Sequence, residues 1–193
     1  MKKPFVIIIT GPQCAGKTTL GRRLSELFGV PVLNKNTIRE ILYTHVRAFQ
    51  RHDTKRLGPT TFAFFYYILA LFMEARQSCI VESNFIPEID NEKFLAIKNN
   101  HPFSPIQLYC SAPLPILMER FRKRASSKGR HPCHFDKWAT QNIPEHYRTR
   151  VHGPLKVGGT LIKVDTTDFD SNNYKNLPAR LSRIIKRPVQ RTS

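Results

Sequence analysis

Residues 5–18, Phe5-Val-Ile-Ile-Ile-Thr-Gly-Pro-Gln-Cys-Ala-Gly-Lys-Thr18, join a short apolar run to a glycine-bearing loop that ends in lysine and threonine. The run from Phe5 to Ile9 is continuously apolar, as in a strand buried on both faces of a sheet. The segment from Gly11 to Thr18 follows the pattern G-x-x-x-x-G-K-[ST], directly after that strand and before a stretch with helical spacing. This placement predicts a backbone cradle whose N–H groups hold triphosphate oxygens.

The residues of this loop have distinct predicted tasks. Lys17 is expected to bridge the terminal phosphates of ATP, and Thr18 is expected to ligate Mg²⁺. Cys14 lies near a helix N-terminus, which is expected to lower the pKa of its thiol, although an inert small side chain is the simpler interpretation. The residues expected to contact the nucleotide here are Gly11, Pro12, Gln13, Cys14, Ala15, Gly16, Lys17, Thr18 and Thr19.

Strand-like and helix-like segments alternate along the chain. The other apolar runs bounded by turn formers or polar residues are Val30–Leu33, Cys79–Val81, Ile106–Cys110 and Leu161–Val164. The stretches with helical spacing are Lys17–Phe28, Thr37–Phe49, Thr60–Arg76, Asp90–Asn99 and Pro113–Ala125. Such alternation predicts an α/β fold with a doubly wound, five-stranded and mainly parallel sheet. At 193 residues the chain is expected to form one domain.

Three segments call for separate interpretation. Residues 126–135 interrupt the alternation, are rich in turn formers and predict a mobile flap. The basic tail, with a helix expected over about 171–187, carries an apolar stripe that is expected to pack on the sheet. The aromatic segment 62–72 favours core positions for Phe65, Leu69 and Phe72, while Tyr66 and Tyr67 could reach an acceptor cleft.

Composition narrows the classes of protein. The 31 Lys and Arg against 14 Asp and Glu give a net charge of +17, which favours polyanionic partners without choosing among them. The four cysteines include no C-x-x-C pair, so neither a disulfide framework nor a four-thiolate zinc site is predicted, and a cytoplasmic location is expected. The apolar runs are too short for a membrane span, and no membrane partner is expected.

Beyond the loop, several stretches together resemble a known family. The chain is similar to the small P-loop kinase-like family of ATP-binding kinases that includes polynucleotide 5′-kinases and is related to zeta toxins. The resemblance runs from Phe5 to about Asp168 and rests on these stretches: Leu33-Asn-Lys-Asn-Thr-Ile-Arg39-Glu, Ile80-Val-Glu82-Ser-Asn-Phe85, Leu117-Met-Glu-Arg120-Phe-Arg-Lys-Arg124-Ala, Arg130-His-Pro-Cys-His-Phe-Asp136 and Val164-Asp-Thr-Thr167. It implies a P-loop NTPase fold of the nucleoside-kinase type with a small lid insertion.

The resemblance also implies roles for single residues. Arg39 would contact the acceptor or its phosphate, the alternative being a surface arginine paired with a nearby acid. Arg120, Arg124 and Arg130 would belong to a lid region of about 120–150 that closes over ATP. A guanidinium suits that place because it can neutralise charge on the transferred group, with Arg124 the first choice and Arg130 the second. The loop containing Thr166 would lie against adenine, or simply end a strand.

At one position the chain departs from the family pattern. Family kinases usually carry an aspartate three residues before the arginine, where this chain has Asn36. A carboxylate there can accept the proton of an attacking hydroxyl, whereas an amide cannot do so at neutral pH. Glu82, at the end of the third predicted strand, is the natural substitute, unless it pairs with an arginine. Asn36 and Asn84 are expected beside the acceptor with Arg39.

The residues His131, Cys133 and His134 offer three metal ligands within four positions. A closed zinc site usually draws on two separated ligand pairs, which the chain does not show, so zinc is not favoured. The family that the chain resembles carries a similar Arg-His-Pro stretch in its lid, which implies a structural or ATP-contacting role for this segment.

These observations together predict an ATP-dependent phosphotransferase that uses Mg²⁺ and moves the γ-phosphoryl group to an acceptor hydroxyl. The acceptor is a 5′-hydroxyl of RNA or DNA, which the basic charge favours, or a small metabolite. The alternative is a nucleotide-dependent binding protein in which Asn36 marks weakened or lost kinase activity, with nucleic acid among its candidate ligands.

Overall fold

Five parallel strands form the centre of the molecule. The computed structural model describes residues 3–46, 51–136 and 153–186. The strands are β1 (Phe5–Thr10), β2 (Val32–Asn34), β3 (Cys79–Glu82), β4 (Ser104–Ser111) and β5 (Thr160–Asp165), in the sheet order β2-β3-β1-β4-β5. Every pairing in this sheet is parallel. The predicted doubly wound α/β fold is therefore confirmed.

Helices connect the strands and cover both faces of the sheet. They are α1 (Lys17–Phe28), α2 (Lys35–His45), α3 (Arg51–Glu74), α4 (Pro87–Asn100), α5 (Leu114–Ala125), α6 (Asn172–Lys175) and α7 (Leu177–Ile185). Successive residues of β1 point to opposite faces, because side chains alternate along a strand. Ile7 and Ile9 belong to a core cluster with α1 and α7, whereas Val6 and Ile8 belong to a second cluster with α3 and α4.

Three helices begin earlier than the sequence pattern predicts, and one of them, α4, begins at Pro87 rather than Asp90. The N-terminus of α2 is at Lys35 rather than Thr37, because the Asn34 side chain accepts hydrogen bonds from the backbone N–H groups of Asn36 at 2.7 Å and Thr37 at 3.3 Å. The predicted end of this helix, near Phe49, lies outside the described residues. Helix α3 begins well before the expected Thr60 and continues through Pro59.

Helix α3 supplies much of the core on one face of the sheet. Its segment Arg56–Glu74 is long and apolar enough to cross a membrane by length and composition alone. Phe65 and Leu69 are fully buried against the sheet, as predicted for core positions. Tyr66 donates a hydrogen bond to Asp90 at 2.5 Å, and Tyr67 is 62% exposed. Phe64 and Leu71 of the same helix are exposed as well, so packing against the sheet accounts for only part of the apolar character of α3.

The basic tail forms two helices rather than the single one expected. Helix α6 ends at Lys175, and α7 starts at Leu177 with Pro178 in its first turn, a position that proline favours. Leu177, Leu181 and Ile185 are buried in the same core cluster as Ile7 and Ile9, whereas Ile184 is 37% exposed. The predicted packing of the apolar stripe on the sheet is therefore found for these three side chains.

The described part of the predicted flap packs against α2. A 3₁₀ turn at Pro132–His134 holds a fully buried Cys133. His134 Nε2 lies 2.6 Å from Glu40 Oε1, and the His131 ring meets the Tyr43 ring edge to face. These contacts join residues 131–134 to α2, and the mobile flap over residues 126–135 stays a prediction. The rest of the predicted lid, residues 137–150 with Trp138, lies outside the described residues.

We expect Leu181→Ala to lower the free energy of unfolding by about 2–5 kcal/mol, because it leaves a cavity between α7 and the sheet. The matched control is Ile184→Ala on the same helix, where partial exposure limits the loss to below about 1 kcal/mol. Urea denaturation of both variants measures the difference. Equal stability of the two variants would show that α7 is not part of the core.

Candidate active site

One cleft lies beyond the carboxyl ends of the strands, where ligands bind in open α/β sheets. It has a volume of about 580 Å³. Its walls come from the loop after β1, the start of α2, the end of β3 and the arginine-bearing α5 with the residues that follow. The lining residues are Pro12, Gln13, Cys14, Gly16, Lys17, Thr18, Thr19, Lys35, Asn36, Arg39, Phe62, Glu82, Asn84, Ile86, Arg120, Arg124, Arg130, His134, Asp136 and Phe169.

The loop after β1 depends on two glycines. Gly11 has a φ of +134°, and a Cβ there would lie 2.1 Å from the carbonyl oxygen of Cys110. Gly16 has a φ of +72°, and a Cβ there would lie 2.7 Å from the Phe169 ring. Both positions therefore require glycine. Gly11 and Ala15 are buried beneath the loop, so of the nine predicted loop contacts these two do not line the cleft.

Lys17 lies at the base of the cleft. Its ammonium donates hydrogen bonds to the carbonyl oxygens of Gly11 at 3.0 Å and Pro12 at 2.6 Å. Burial lowers the pKa of Lys17, while the nearby Glu82 carboxylate opposes that shift. The Lys17 amine is therefore held on the phosphate loop, where the sequence predicts that it contacts the terminal phosphates of ATP.

Cys14 does not have the activated thiol that its position suggested. Burial raises the pKa of this thiol and outweighs the opposing effects of Arg124 and Lys17. This direction agrees with the inert side chain that the sequence favours, because desolvation of the thiolate is the larger effect.

Glu82 connects the two helices that start at this edge of the sheet. One carboxylate oxygen, Oε2, accepts a hydrogen bond from Thr18 Oγ1 at 3.0 Å and another from the Asn34 amide. The side chain of Glu82 is buried. Burial raises its pKa, and Lys17 is the largest of the opposing influences. A buried carboxylate with a raised pKa is a suitable proton acceptor.

The oxygen atoms of Thr18 and Glu82 also fit a magnesium site. Magnesium prefers oxygen ligands and binds proteins through one or two side chains together with substrate phosphates. The Thr18 hydroxyl and the Glu82 carboxylate lie together at the phosphate loop. The sequence predicted Thr18 alone as a metal ligand, and the Glu82 carboxylate beside it is a further oxygen donor.

A buried aspartate positions two predicted lid arginines. Asp136 Oδ2 accepts hydrogen bonds from Arg124 Nε at 3.1 Å and from Arg130 Nε at 2.6 Å. The Asp136 side chain is only 2% exposed. Because both ion pairs use Nε, the terminal nitrogen atoms of the two guanidinium groups are left to face a phosphate. Sequence reasoning identified both arginines but gave Asp136 no role.

Arg120 and Phe169 form another part of the cleft wall, beside Gly16 of the loop. Arg120 Nη2 donates hydrogen bonds to the carbonyl oxygens of Thr166 at 2.8 Å and Thr167 at 3.1 Å. Its guanidinium lies 4.6 Å from the centre of the Phe169 ring. Thr166 is fully buried, and its hydroxyl donates a hydrogen bond to the carbonyl oxygen of Ser111. The Thr166 side chain therefore cannot make the predicted contact with adenine. Phe169 lines the cleft instead.

The predicted acceptor side is assembled mainly from α2. Asn36, Arg39 and Asn84 all line the cleft, as the sequence predicted. Lys35, Phe62 and Ile86 line it too, and sequence reasoning assigned no role to them. Lys35 lies one helical turn before Arg39, a spacing that puts both side chains on the same face of α2. This spacing from Arg39 is the sequence signal from which the place of Lys35 in the cleft could have been predicted.

A second cluster joins the 3₁₀ turn to α2. The potential ligand atoms of Glu40, Cys133 and His134 all lie within 4.8 Å of one another. Burial lowers the pKa of His134 to about 2, and Arg130 and Arg39 contribute to that shift. A site this electropositive disfavours a metal cation, so we interpret the cluster as a docking contact in which neutral His134 donates to Glu40.

Comparisons with known proteins agree with this geometry. The profile of the AAA domain family matches residues 6–146. Among curated proteins, no significant match is found. The structure of a candidate kinase from Chloroflexus aurantiacus shares 31% identity, covers 94% of this chain and 98% of its own, and superposes with a TM-score of 0.85.

More distant structures share the fold. The APS kinase of Mycobacterium tuberculosis, solved with AMPPNP and APS, has 12% identity, a TM-score of 0.61, and coverage of 96% of this chain and 99% of its own. A sugar kinase from Janibacter has 16% identity, a TM-score of 0.56, and coverage of 94% and 95%. Because the family profile matches more than half of the sequence and the cleft is built around its phosphate loop, this chain belongs to the AAA domain family of P-loop proteins.

Proposed function

We propose that this protein is a kinase that transfers the γ-phosphoryl group of ATP to a hydroxyl group of a small molecule. The observation that carries the proposal is the convergence of the phosphate loop, with Lys17 and Thr18, and of Arg124 and Arg130 on one cleft. A 31% identical relative described as a candidate kinase and a distant relative solved with AMPPNP support it.

The phosphate side of the cleft stabilises charge. Lys17 leaves the loop carbonyls to contact the terminal phosphates, and Arg124 and Arg130 face the group in transfer while Asp136 holds their Nε atoms. Phosphoryl transfer needs positioning and charge stabilisation more than covalent chemistry, which these fixed cations supply. The Thr18 hydroxyl would hold Mg²⁺ together with the substrate phosphates, and the ion would supply neutralisation of phosphate charge.

The Glu82 carboxylate accepts the proton of the acceptor hydroxyl in this proposal. Asn36 occupies the family's aspartate position and cannot accept a proton at neutral pH. The Glu82 carboxylate lies in the same cleft with a raised pKa. Because its Oε2 already accepts hydrogen bonds from Thr18 and Asn34, Glu82 is a weaker base than an unshared carboxylate would be.

Several observations bear on the acceptor and location. A cleft of about 580 Å³ is of the size that holds small ligands, which favours a small acceptor beside the nucleotide. The net charge of +17 is the observation that favours a nucleic-acid acceptor instead. All four cysteines are free thiols, which supports the cytoplasmic location that we propose.

The direct experiment measures transfer from γ-labelled ATP with Mg²⁺. One arm offers small sugars, polyols and hydroxy acids, and the other offers a 5′-hydroxyl RNA oligonucleotide. Label on a small acceptor supports the proposal, whereas label on the RNA alone replaces it with a polynucleotide kinase. Nucleotide binding without transfer in either arm favours the nucleotide-dependent binding protein, for which Asn36 is the specific observation.

We expect Lys17→Ala to lower both ATP affinity and transfer, the latter by about a hundredfold or more, because the terminal phosphates lose their cation. Calorimetric titration with AMPPNP and the transfer assay measure the two effects. Lys93→Ala, on the exposed face of α4, is the matched control and retains wild-type values. Unchanged nucleotide affinity in Lys17→Ala would contradict the assignment of the phosphate cradle.

We expect Asn36→Asp to raise kcat by about tenfold or more, because a carboxylate at this position can accept the acceptor's proton. Asn84→Asp adds the same charge to the cleft from the loop after β3 and serves as the control. The transfer assay at pH 7 compares the three proteins. A gain in both variants would indicate a general electrostatic effect, and no gain in either would show that proton transfer does not limit the rate.

We expect Asp136→Asn to lower kcat by about a hundredfold while ATP still binds, because Arg124 and Arg130 lose the carboxylate that positions them. Asp170→Asn is the control, since Asp170 is largely exposed and pairs with Lys175 at the surface. Thermal unfolding of both variants checks that the fold is retained. Wild-type kcat in a folded Asp136→Asn protein would remove the two arginines from the mechanism.

A further inference from the structure

Helix α3 has an apolar side that the sheet does not cover. Phe64, Tyr67 and Leu71 are 48%, 62% and 42% exposed, although they lie well inside the helix. Their spacing of three and four residues places them next to one another on its surface. Apolar side chains that are grouped in this way on a surface mark an interaction site, because burying them is favourable.

The outermost residues of this helix recur at alternating intervals of four and three. Intervals of this kind keep side chains in one line along a helix, as in the seam of a coiled coil. All of them are exposed except Ala70, which is half-buried. We call them the outer seam of α3: Arg56, Thr60, Ala63, Tyr67, Ala70 and Glu74. Charge occurs in the seam only at its two ends, and residues 57–73 contain no charged side chain.

The charges at the two ends of the outer seam are opposite in sign. Arg56 and Glu74 are 18 residues apart, a distance of about 27 Å along a helix. Neither takes part in an ion pair with another described residue. A second α3 that runs antiparallel places Arg56 of each copy opposite Glu74 of the other, whereas a parallel one places arginine opposite arginine. Charge complementarity of this kind fixes the orientation of a partner.

The residues between those ends are complementary in the same arrangement. About a two-fold axis at the level of Phe65, Tyr67 of one copy faces Ala63 of the other, and Thr60 faces Ala70. A large side chain opposite a small one allows the knobs-into-holes packing of paired helices. Each contact occurs twice, as the symmetry of a two-fold dimer requires.

We propose that the outer seam of α3 is the interface of a two-fold symmetric homodimer, in which α3 packs antiparallel against α3 of a second copy. Phe64 and Leu71 flank the seam and extend its apolar surface. One pair of helices buries less area than a standard stable interface, and a net charge of +17 on each copy opposes association. The dimer is therefore weak and reversible, and its formation does not depend on the proposed kinase activity.

Sedimentation equilibrium of the full-length protein, from micromolar to near-millimolar concentrations, tests the dimer. We expect the mean mass to rise with concentration toward twice that of the single chain. Tyr67→Ala is expected to raise the dissociation constant about tenfold or more, because the aromatic side chain at the centre of the interface is lost. Ile89→Ala, at a 57% exposed position of α4, is the matched control and leaves dimerisation unchanged. A single-chain mass at every concentration overturns the inference.

Charge variants test the antiparallel orientation. Arg56→Glu places two carboxylates at each end of the interface and is expected to weaken the dimer about tenfold or more. Lys93→Glu, on the exposed face of α4, makes the same change in net charge and leaves the dimer at least as strong. Combining Arg56→Glu with Glu74→Arg exchanges the two charges and is expected to restore the wild-type dissociation constant. A dimer that responds to none of these seam substitutions overturns the inference.

A lipid surface is the other occupant that the test must separate from a second copy, since the segment Arg56–Glu74 also has the apolar composition of a membrane-crossing helix. Co-sedimentation with vesicles of phosphatidylcholine and phosphatidylserine measures it. Vesicle binding that is lost in Tyr67→Ala, by a protein that remains a single chain in solution, overturns the homodimer in favour of a lipid-binding face. Thermal unfolding of each variant confirms that the fold is retained, and the double charge exchange keeps the composition of the wild-type protein.

Discussion

The arrangement of the cleft depends on one buried carboxylate oxygen. Glu82 Oε2 accepts hydrogen bonds from Thr18 at the start of α1 and from Asn34 at the cap of α2. A buried carboxylate needs such donors, because an unpaired buried charge is unfavourable by several kcal/mol. Meeting that requirement fixes the phosphate loop relative to the helix that carries Asn36 and Arg39, so the nucleotide side and the acceptor side keep a set spacing.

Hydrogen bonds to a buried carboxylate and to backbone carbonyl groups likewise position the cations of the cleft. Asp136 holds Arg124 and Arg130 through their Nε atoms, and backbone carbonyl groups hold Lys17 and Arg120. The geometry of the three arginines is therefore set before any phosphate arrives, which is what electrostatic stabilisation of phosphoryl transfer requires, whereas Lys17 has to leave its carbonyl partners. The His134–Glu40 contact adds a link between the turn that follows Arg130 and α2. The two halves of the cleft are thereby coupled through the first part of the lid.

Most of the fold and the phosphate loop could be predicted because their signals are local. Buried parallel strands have continuous apolar runs, and the five predicted runs all lie within or beside observed strands. The loop is a contiguous motif, so the sequence could single out Lys17 and Thr18, which both line the cleft. Helix ends were less accurate, because the cap at Asn34 and the passage of α3 through Pro59 depend on contacts that a hydrophobic pattern does not encode.

By itself, then, the sequence determined the sheet, its connections and the chemistry of the phosphate loop, since each follows from residues near one another in the chain. Only the tertiary structure decided which distant side chains meet. It buried Thr166 and put Phe169 beside the cleft, assigned Asp136 to two arginines, and brought Lys35 to Phe62. These outcomes depend on side-chain burial and on competition among hydrogen-bond donors across the sheet, which no local pattern specifies.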